Sequence, residues 1–177
     1  MFPAVKYSMT NSTEPMLLLH VCCAPCAAGC VERLLETGRE VRLYYSNSNI
    51  TTKEEFERRL DSVERLAGIF GLALEVDPYD HDGWRGAVAG FESEPERGLR
   101  CPLCFGWSLG RTAGRAAALG ANFATTLTVS PHKPSRVIFE TASIWKHFEP
   151  WDFKKKDGFR RSRELAREHG FYLQNFC

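Results

Sequence analysis

A three-layer α/β domain with a mainly parallel sheet is the fold predicted by this sequence, and three observations predict it. Short apolar runs of strand length alternate with longer segments whose apolar residues recur at helical spacing. The first run, Met16 to Val21, is apolar without alternation up to His20, as in a strand buried on both faces of a parallel sheet. Glycines close several of the helical segments, at Gly38, Gly71 and Gly120. At 177 residues the chain has the length of one ordinary domain, enough to bury roughly 70% of the surface exposed by its unfolded form. No repeat, low-complexity tract or linker divides it, so residues 1–177 are read as one domain, with residues 1–15 expected to be flexible.

The elements follow in order. After the first strand, Pro25 suits a first helical turn, where its missing N–H is not needed, and a helix runs from about Cys26 to Thr37. Glu40 to Tyr45 is a second strand, with Val41, Leu43 and Tyr45 on one face, and Asn47-Ser48-Asn49 its loop. Thr51 or Thr52 can cap the helix Lys53 to Phe70, in which Phe56, Leu60, Val63, Leu66 and Ala67 recur on one face. Leu72 to Val76 is a third strand, followed by Asp77 to Asp80, a short helix around Trp84 to Phe91 and a loop from Glu92 to Arg100. Cys101 opens a helix to about Leu119; Phe123 to Val129 is a fourth strand and Ser135 to Ile144 a further helix. In open parallel sheets ligands gather beyond the carboxyl ends of the strands. Cys22, Cys23, Cys26, Asp77, Asp80, Ser130 and His132 all follow predicted strand ends, so that edge is the expected active site. Residues 151–177 would have to fold back over it for Cys177 to take part.

No apolar stretch near the N-terminus approaches the length needed to cross a bilayer of about 30 Å, and no signal-peptide pattern opens the chain. A cytoplasmic protein without a membrane partner is expected, and reduced thiols there suit metal ligation. The net charge of +1 hides an asymmetry. Residues 1–100 carry 11 Lys and Arg against 16 Asp and Glu, whereas residues 101–177 carry 12 against 6. The basic half is a candidate polyanion-facing surface, densest at Lys154-Lys155-Lys156 with Arg160, Arg161, Arg163 and Arg167, interleaved with Trp151, Phe153 and Phe159. The competing reading is a solvated face.

The cysteines carry the chemistry. Three stand in the run His20-Val21-Cys22-Cys23-Ala24-Pro25-Cys26, two in Cys101-Pro102-Leu103-Cys104, and Cys177 ends the sequence. Thiolates are soft ligands for iron–sulfur clusters, zinc and copper, and a Cys-x-x-Cys pair at a helix start can hold one metal or two cluster irons. Cys23 with Cys26 and Cys101 with Cys104 make two such pairs. With Cys22 and Cys177 the six thiols exceed the four ligands of one tetrahedral zinc or one cluster, which points to two centres. Asp80, ahead of Asp77 and Asp82, is the expected carboxylate at the second. The rival is a four-cysteine zinc staple. Cys30 reads as a small buried apolar residue and His20 as a satisfied core histidine. His132 and Lys133, in the loop after the fourth strand, are candidate proton donors or anion contacts, against which stands a plain surface role.

These residues resemble the QueH-type, cobalamin-independent epoxyqueuosine reductases. The resemblance runs from Leu17-Leu18-Leu19-His20-Val21-Cys22-Cys23-Ala24-Pro25-Cys26 through Asn47-Ser48-Asn49-Ile50, Glu55-Phe56-Glu57-Arg58-Arg59, Tyr79-Asp80 and Arg100-Cys101-Pro102-Leu103-Cys104. It continues in Thr125 to Lys133 and in Asp152-Phe153-Lys154-Lys155. Phe105 departs from the family's usual tyrosine, and Phe176-Cys177 from its usual Tyr-Cys-Gly-Cys ending. The resemblance implies a fold related to the adenine-nucleotide α-hydrolase (HUP-like) group, with the cysteine motif in place of a phosphate loop. It implies a [4Fe–4S] cluster beside one further metal ion, iron or zinc, held by Cys22, Cys23, Cys26, Cys101, Cys104, Cys177 and Asp80. The implied reaction is reduction of the epoxide of epoxyqueuosine in tRNA to give queuosine, with electrons from a donor protein or other reductant. His132 or Lys133 would supply a proton, and Trp151, Lys154, Lys155, Lys156, Arg160 and Arg161 would meet the RNA. Two alternatives remain: a persulfide-using tRNA sulfur-transfer enzyme, disfavoured by the lack of a pyrophosphatase loop, and a non-catalytic zinc-stapled RNA-binding module.

Overall fold

A computed structural model describes residues 13–174. Four parallel strands, β1 (Leu17–Val21), β2 (Val41–Tyr45), β3 (Leu74–Val76) and β4 (Asn122–Thr125), form one sheet in the order β3-β2-β1-β4. Six helices connect and cover them: α1 (Ala24–Leu35), α2 (Lys53–Phe70), α3 (His81–Ala87), α4 (Arg100–Leu119), α5 (Ser135–Ala142) and α6 (Gly158–Glu168). β1 is central, pairing Leu17 with Val41 on one side and with Asn122 on the other. All five of its residues are buried, because both faces are covered. Leu17, Leu19 and Val21 pack with α1, α2 and Leu165 of α6, while Leu18 packs with Ala113 and Ala116 of α4. This is the three-layer arrangement expected from a strand whose apolar residues do not alternate with polar ones before His20.

The boundaries have local causes. Thr52 caps α2 by accepting from the Glu55 N–H at 3.1 Å, and Gly71 ends that helix in the left-handed region. α3 begins at His81, three residues before Trp84, because the Asp80 carboxylate accepts from the Gly83 N–H at 3.0 Å. The fourth strand is shorter than its apolar run. The Thr125 hydroxyl accepts from the Leu127 N–H at 3.1 Å and turns residues 126–129 into a 3₁₀ helix, so Thr126 to Val129 are buried without being strand.

The C-terminal segment returns to the first helix. α6 lies against α1 where Gly29 leaves room: a Cβ there would stand 2.6 Å from Ser162 Oγ, and the Gly29 N–H donates to that oxygen at 3.2 Å. Arg161 reinforces the pairing with two hydrogen bonds to Glu32, at 2.6 and 2.7 Å. Lys156 and Asp157 both adopt left-handed backbone to turn the chain into α6, and Gly158 touches the Phe153 carbonyl so closely that no side chain fits. Among the described residues no helix is long and apolar enough to cross a membrane.

Candidate metal centre

The cysteine run lies where β1 becomes α1. Cys23 is the extended residue before the helix and Pro25 sits in its first turn, so the chain bends sharply with its thiols at the carboxyl edge of the sheet. The sulfurs of Cys22, Cys23 and Cys26 lie within 4.8 Å of one another, and those of Cys22 and Cys23 are 3.9 Å apart. Among the described residues this is the one cluster of cysteine, histidine and carboxylate ligands compact enough to hold an ion.

The surroundings hold the trio in place. The Cys22 N–H donates to the Thr126 hydroxyl at 3.2 Å, and that hydroxyl donates back to Cys22 Sγ at 3.4 Å. Asn47, buried in the loop after β2, donates to the Val21 carbonyl at 2.8 Å. His20 Nε2 lies 3.0 Å from the Ser46 carbonyl, an atom that only accepts, so the proton is on Nε2 and Nδ1 accepts from the Thr125 hydroxyl at 2.8 Å. Burial lowers the His20 pKa and keeps the ring neutral, in accord with a satisfied core histidine.

The three thiols do not share one acidity. Cys22 is held well below the usual thiol range by its hydrogen bonds with Cys23 and Cys26; Thr126 and the Lys133 charge add to this, against the effect of burial. Cys23 and Cys26 are pushed up, above all by their hydrogen bonds with Cys22. Three mutually close thiols, one of them more acidic than its neighbours, are a donor set that a metal can complete by displacing their protons. Cys30 is apart, buried in the core with its thiol donating to the Cys26 carbonyl at 3.2 Å.

A cavity of about 440 Å³ opens beside the trio, lined by Cys22, Cys26, Cys104, Arg59, His132 and Lys133 among others. Cys104 thus reaches the same cavity. Cys101 lines an adjoining cavity of about 560 Å³, which also touches Cys104, and its sulfur accepts from the Arg97 N–H at 3.2 Å. Asp80 lies outside both cavities. Its side chain is 45% exposed, capping α3 with one oxygen and lying 3.9 Å from Arg111 with the other. Asp77 is buried and satisfied by Tyr44, Ser46 and Arg111. Cys177 lies outside the described residues.

His132 and Lys133 stand where the loop after β4 meets the cavity: the Arg97 guanidinium donates to the His132 carbonyl at 3.1 Å, and Lys133 is half-buried. The expected RNA contacts divide. Trp151 is already occupied, stacked on Phe153 at 5.7 Å, bonded through Nε1 to Glu149 at 2.9 Å and covered by Arg33. Lys154 donates to the Ser130 and Lys133 carbonyls, at 3.1 and 2.7 Å, which makes it a tether for that loop. Arg160 pairs with Asp157 and Glu164, and Arg161 with Glu32. Lys155 and Lys156 are exposed. Arg59, Asn47 and Thr126 fall inside the motifs that carry the resemblance, but the sequence assigned none of them a role of its own. Arg59 is buried on the cavity wall and paired with Glu55 at 2.8 Å, an i to i+4 spacing that was legible; Thr126 was hidden inside an apparent strand.

The family described as epoxyqueuosine reductase QueH matches residues 17–177. Curated relatives carry the same description. The one from Streptococcus pyogenes serotype M1 is 38% identical over 94% of this chain and 70% of its own length. That from Acinetobacter baylyi is 31% identical over 99% of this chain and 83% of its own. A third, from Thermotoga maritima, is 30% identical over 91% and 86%. A match that begins in β1 and takes in the cysteine run, the cavity loops and the C-terminal segment leaves one conclusion: the chain belongs to the epoxyqueuosine reductase QueH family, a family of oxidoreductases.

Proposed function

We propose that this chain reduces the epoxide of epoxyqueuosine in tRNA to the alkene of queuosine. Two electrons and two protons enter, both C–O bonds of the epoxide break, and the oxygen leaves as water. The observation that carries the reading is the trio Cys22, Cys23 and Cys26, three sulfurs within 4.8 Å of one another, of which Cys22 and Cys26 line a cavity large enough for a nucleoside, in a member of this family.

The donor set suits a thiolate-bound redox centre: soft ligands, mutually close, one of them with its acidity raised by its neighbours. Cys22, Cys23 and Cys26 would hold it with Cys101, Cys104 and Cys177, and Asp80 is the proposed carboxylate ligand of a second ion, iron or zinc. A [4Fe–4S] cluster held there would supply single electrons, and a second ion would supply Lewis acidity toward the epoxide oxygen. The remaining work falls to side chains around the cavity. Lys133 lines the same cavity as Cys22, where its positive charge would offset negative charge developing on the departing oxygen. His132, at the cavity mouth, is placed to pass protons in from solvent. Lys154 holds the loop that carries both by its carbonyls. A cytoplasmic electron-donor protein or small reductant completes the cycle.

The reading is tested by purifying the protein without oxygen, measuring iron and sulfide, and incubating it with reductant and tRNA bearing the epoxide. Iron with acid-labile sulfide, a broad band near 400 nm and conversion to queuosine are expected. A colourless zinc protein that binds the tRNA without converting it would instead indicate the RNA-binding module.

A further inference from the structure

We propose that Phe159 and Arg163 receive a nucleotide flanking the one being reduced, the ring stacking on its base and the guanidinium holding its phosphate. The two are four residues apart on α6, hence one turn apart on one face, and both line the cavity that contains Cys22, Cys26 and Cys104. Phe159 is 41% exposed, an uncommon placement for a phenylalanine on a helix whose other large apolar residue, Leu165, is buried in the core. Arg163 has no ion pair or hydrogen bond among the described residues, although Arg160 and Arg161 on the same helix are both committed to carboxylates. Lys155, Lys156 and Arg167 are exposed but do not line the cavity, and Lys154 is spent on two carbonyls. Of the seven cations in residues 151–167, Arg163 is therefore the one that lines the thiol cavity.

A lone cation beside an exposed ring matches the two chemistries of a nucleotide, an anionic phosphate and a π face. The pair sits at the wall of the cavity and not beside a sealed core, so a strand whose modified base enters toward the thiols runs past it. The proposal rests on the reading that the substrate is an RNA. It also moves the stacking role from Trp151, whose ring is already covered, to Phe159.

Anticodon stem-loops carrying the epoxide, intact or abasic at either neighbour of the modified position, separate the two readings. Phe159→Ala should weaken binding of the intact loop roughly 5- to 150-fold, as expected for loss of one base–aromatic stack, and Phe159→Trp should restore it. At one of the two abasic loops wild type should weaken by a similar factor and Phe159→Ala should lose little more, the non-additivity expected of groups in contact. Arg163→Gln should lower the slope of log affinity against log salt by about 0.7 to 0.9, and Arg163→Lys should keep it. Iron content and the absorption band should be unchanged in all four variants. Wild-type affinity and salt slope in Phe159→Ala and Arg163→Gln, or additive losses with both abasic loops, would overturn the proposal. A wild-type protein that binds no tRNA would overturn the functional reading itself.

Discussion

Thr126 holds Cys22 from both sides, accepting from its N–H at 3.2 Å and donating to its sulfur at 3.4 Å. The hydroxyl is fully buried and ties the cysteine run of β1 to the 3₁₀ turn after β4, two strands paired side by side. Thr126→Val keeps the shape and removes both bonds, leaving the Cys22 N–H without its partner at a cost of about 1 to 3 kcal/mol. The variant should fold and bind iron but surrender it to a chelator faster than wild type. Thr126→Ser should behave as wild type. Equal release rates for valine and threonine would show that the clamp does not serve the metal.

Single Cys→Ser changes at 22, 23 and 26 should each lose iron, and Cys30→Ser should keep it. Cys30 is only four residues from Cys26, but its thiol faces the core and bonds a carbonyl. Metal analysis of the four purified variants decides the matter. Loss of iron from the Cys30 variant, with its fold intact by circular dichroism, would contradict the assignment.

Asp80 has two candidate roles that a conservative change separates. Asp80→Ala removes both the helix cap and the proposed ligand, and loss of the cap alone costs about 1 kcal/mol. Asp80→Asn retains an oxygen able to accept from the Gly83 N–H and drops the charge. The asparagine variant should keep wild-type thermal stability and cluster absorbance, yet lose the second metal and turnover. Native turnover in that variant would leave Asp80 as a cap and nothing more.

Of the three consecutive lysines, Lys154 should behave differently from its neighbours. Lys155→Gln with Lys156→Gln should flatten the salt dependence of tRNA binding by up to about 1.4 to 1.8 in slope without altering stability. Lys154→Gln should instead loosen the loop that carries His132 and Lys133, because its ammonium bonds two of that loop's carbonyls. Slower turnover with an unchanged salt slope is the expected signature, measured by binding titrations at several salt concentrations beside single-turnover rates.

Glu149 joins β4 to the buried Arg39, with Asn122, Trp151 and Arg39 all donating to it. Burial alone would raise its pKa, but these bonds outweigh it and hold the carboxyl below its ordinary value. A depressed carboxylate contributes stability that is present above its unfolded pKa of about 4.3 and is lost as pH falls through the folded value. Glu149→Gln should cost on the order of 3 kcal/mol at pH 7, since Arg39 would keep a buried charge without its main partner. The gap to wild type in denaturant midpoints should narrow below about pH 4. A gap independent of pH would show that the ion pair is not the source.

The layers, the parallel sheet and the thiol-bearing turn were legible because each rests on local pattern: a β1 apolar without alternation up to His20, helical periodicity in α2 and α4, and Pro25 after adjacent cysteines. What escaped depends on long-range contact. Thr126 to Val129, rich in β-branched residues, read as strand, and the Thr125 hydroxyl accepting from the Leu127 N–H turns them aside. The basic run read as one surface because charge alone cannot reveal which cations already have partners; Arg161 finds Glu32 across 129 residues of sequence. Trp151 looked ready for a base until Phe153, Glu149 and Arg33 enclosed it.

The most direct measurement is the nucleoside composition of tRNA bearing epoxyqueuosine after anaerobic incubation with reductant and either wild type or Cys23→Ser, read by mass spectrometry. The account predicts that wild type converts the nucleoside to a product lighter by one oxygen atom, in proportion to its iron content, and that Cys23→Ser converts none. Conversion by Cys23→Ser at the wild-type rate, or no conversion by an iron-loaded wild type, would contradict it.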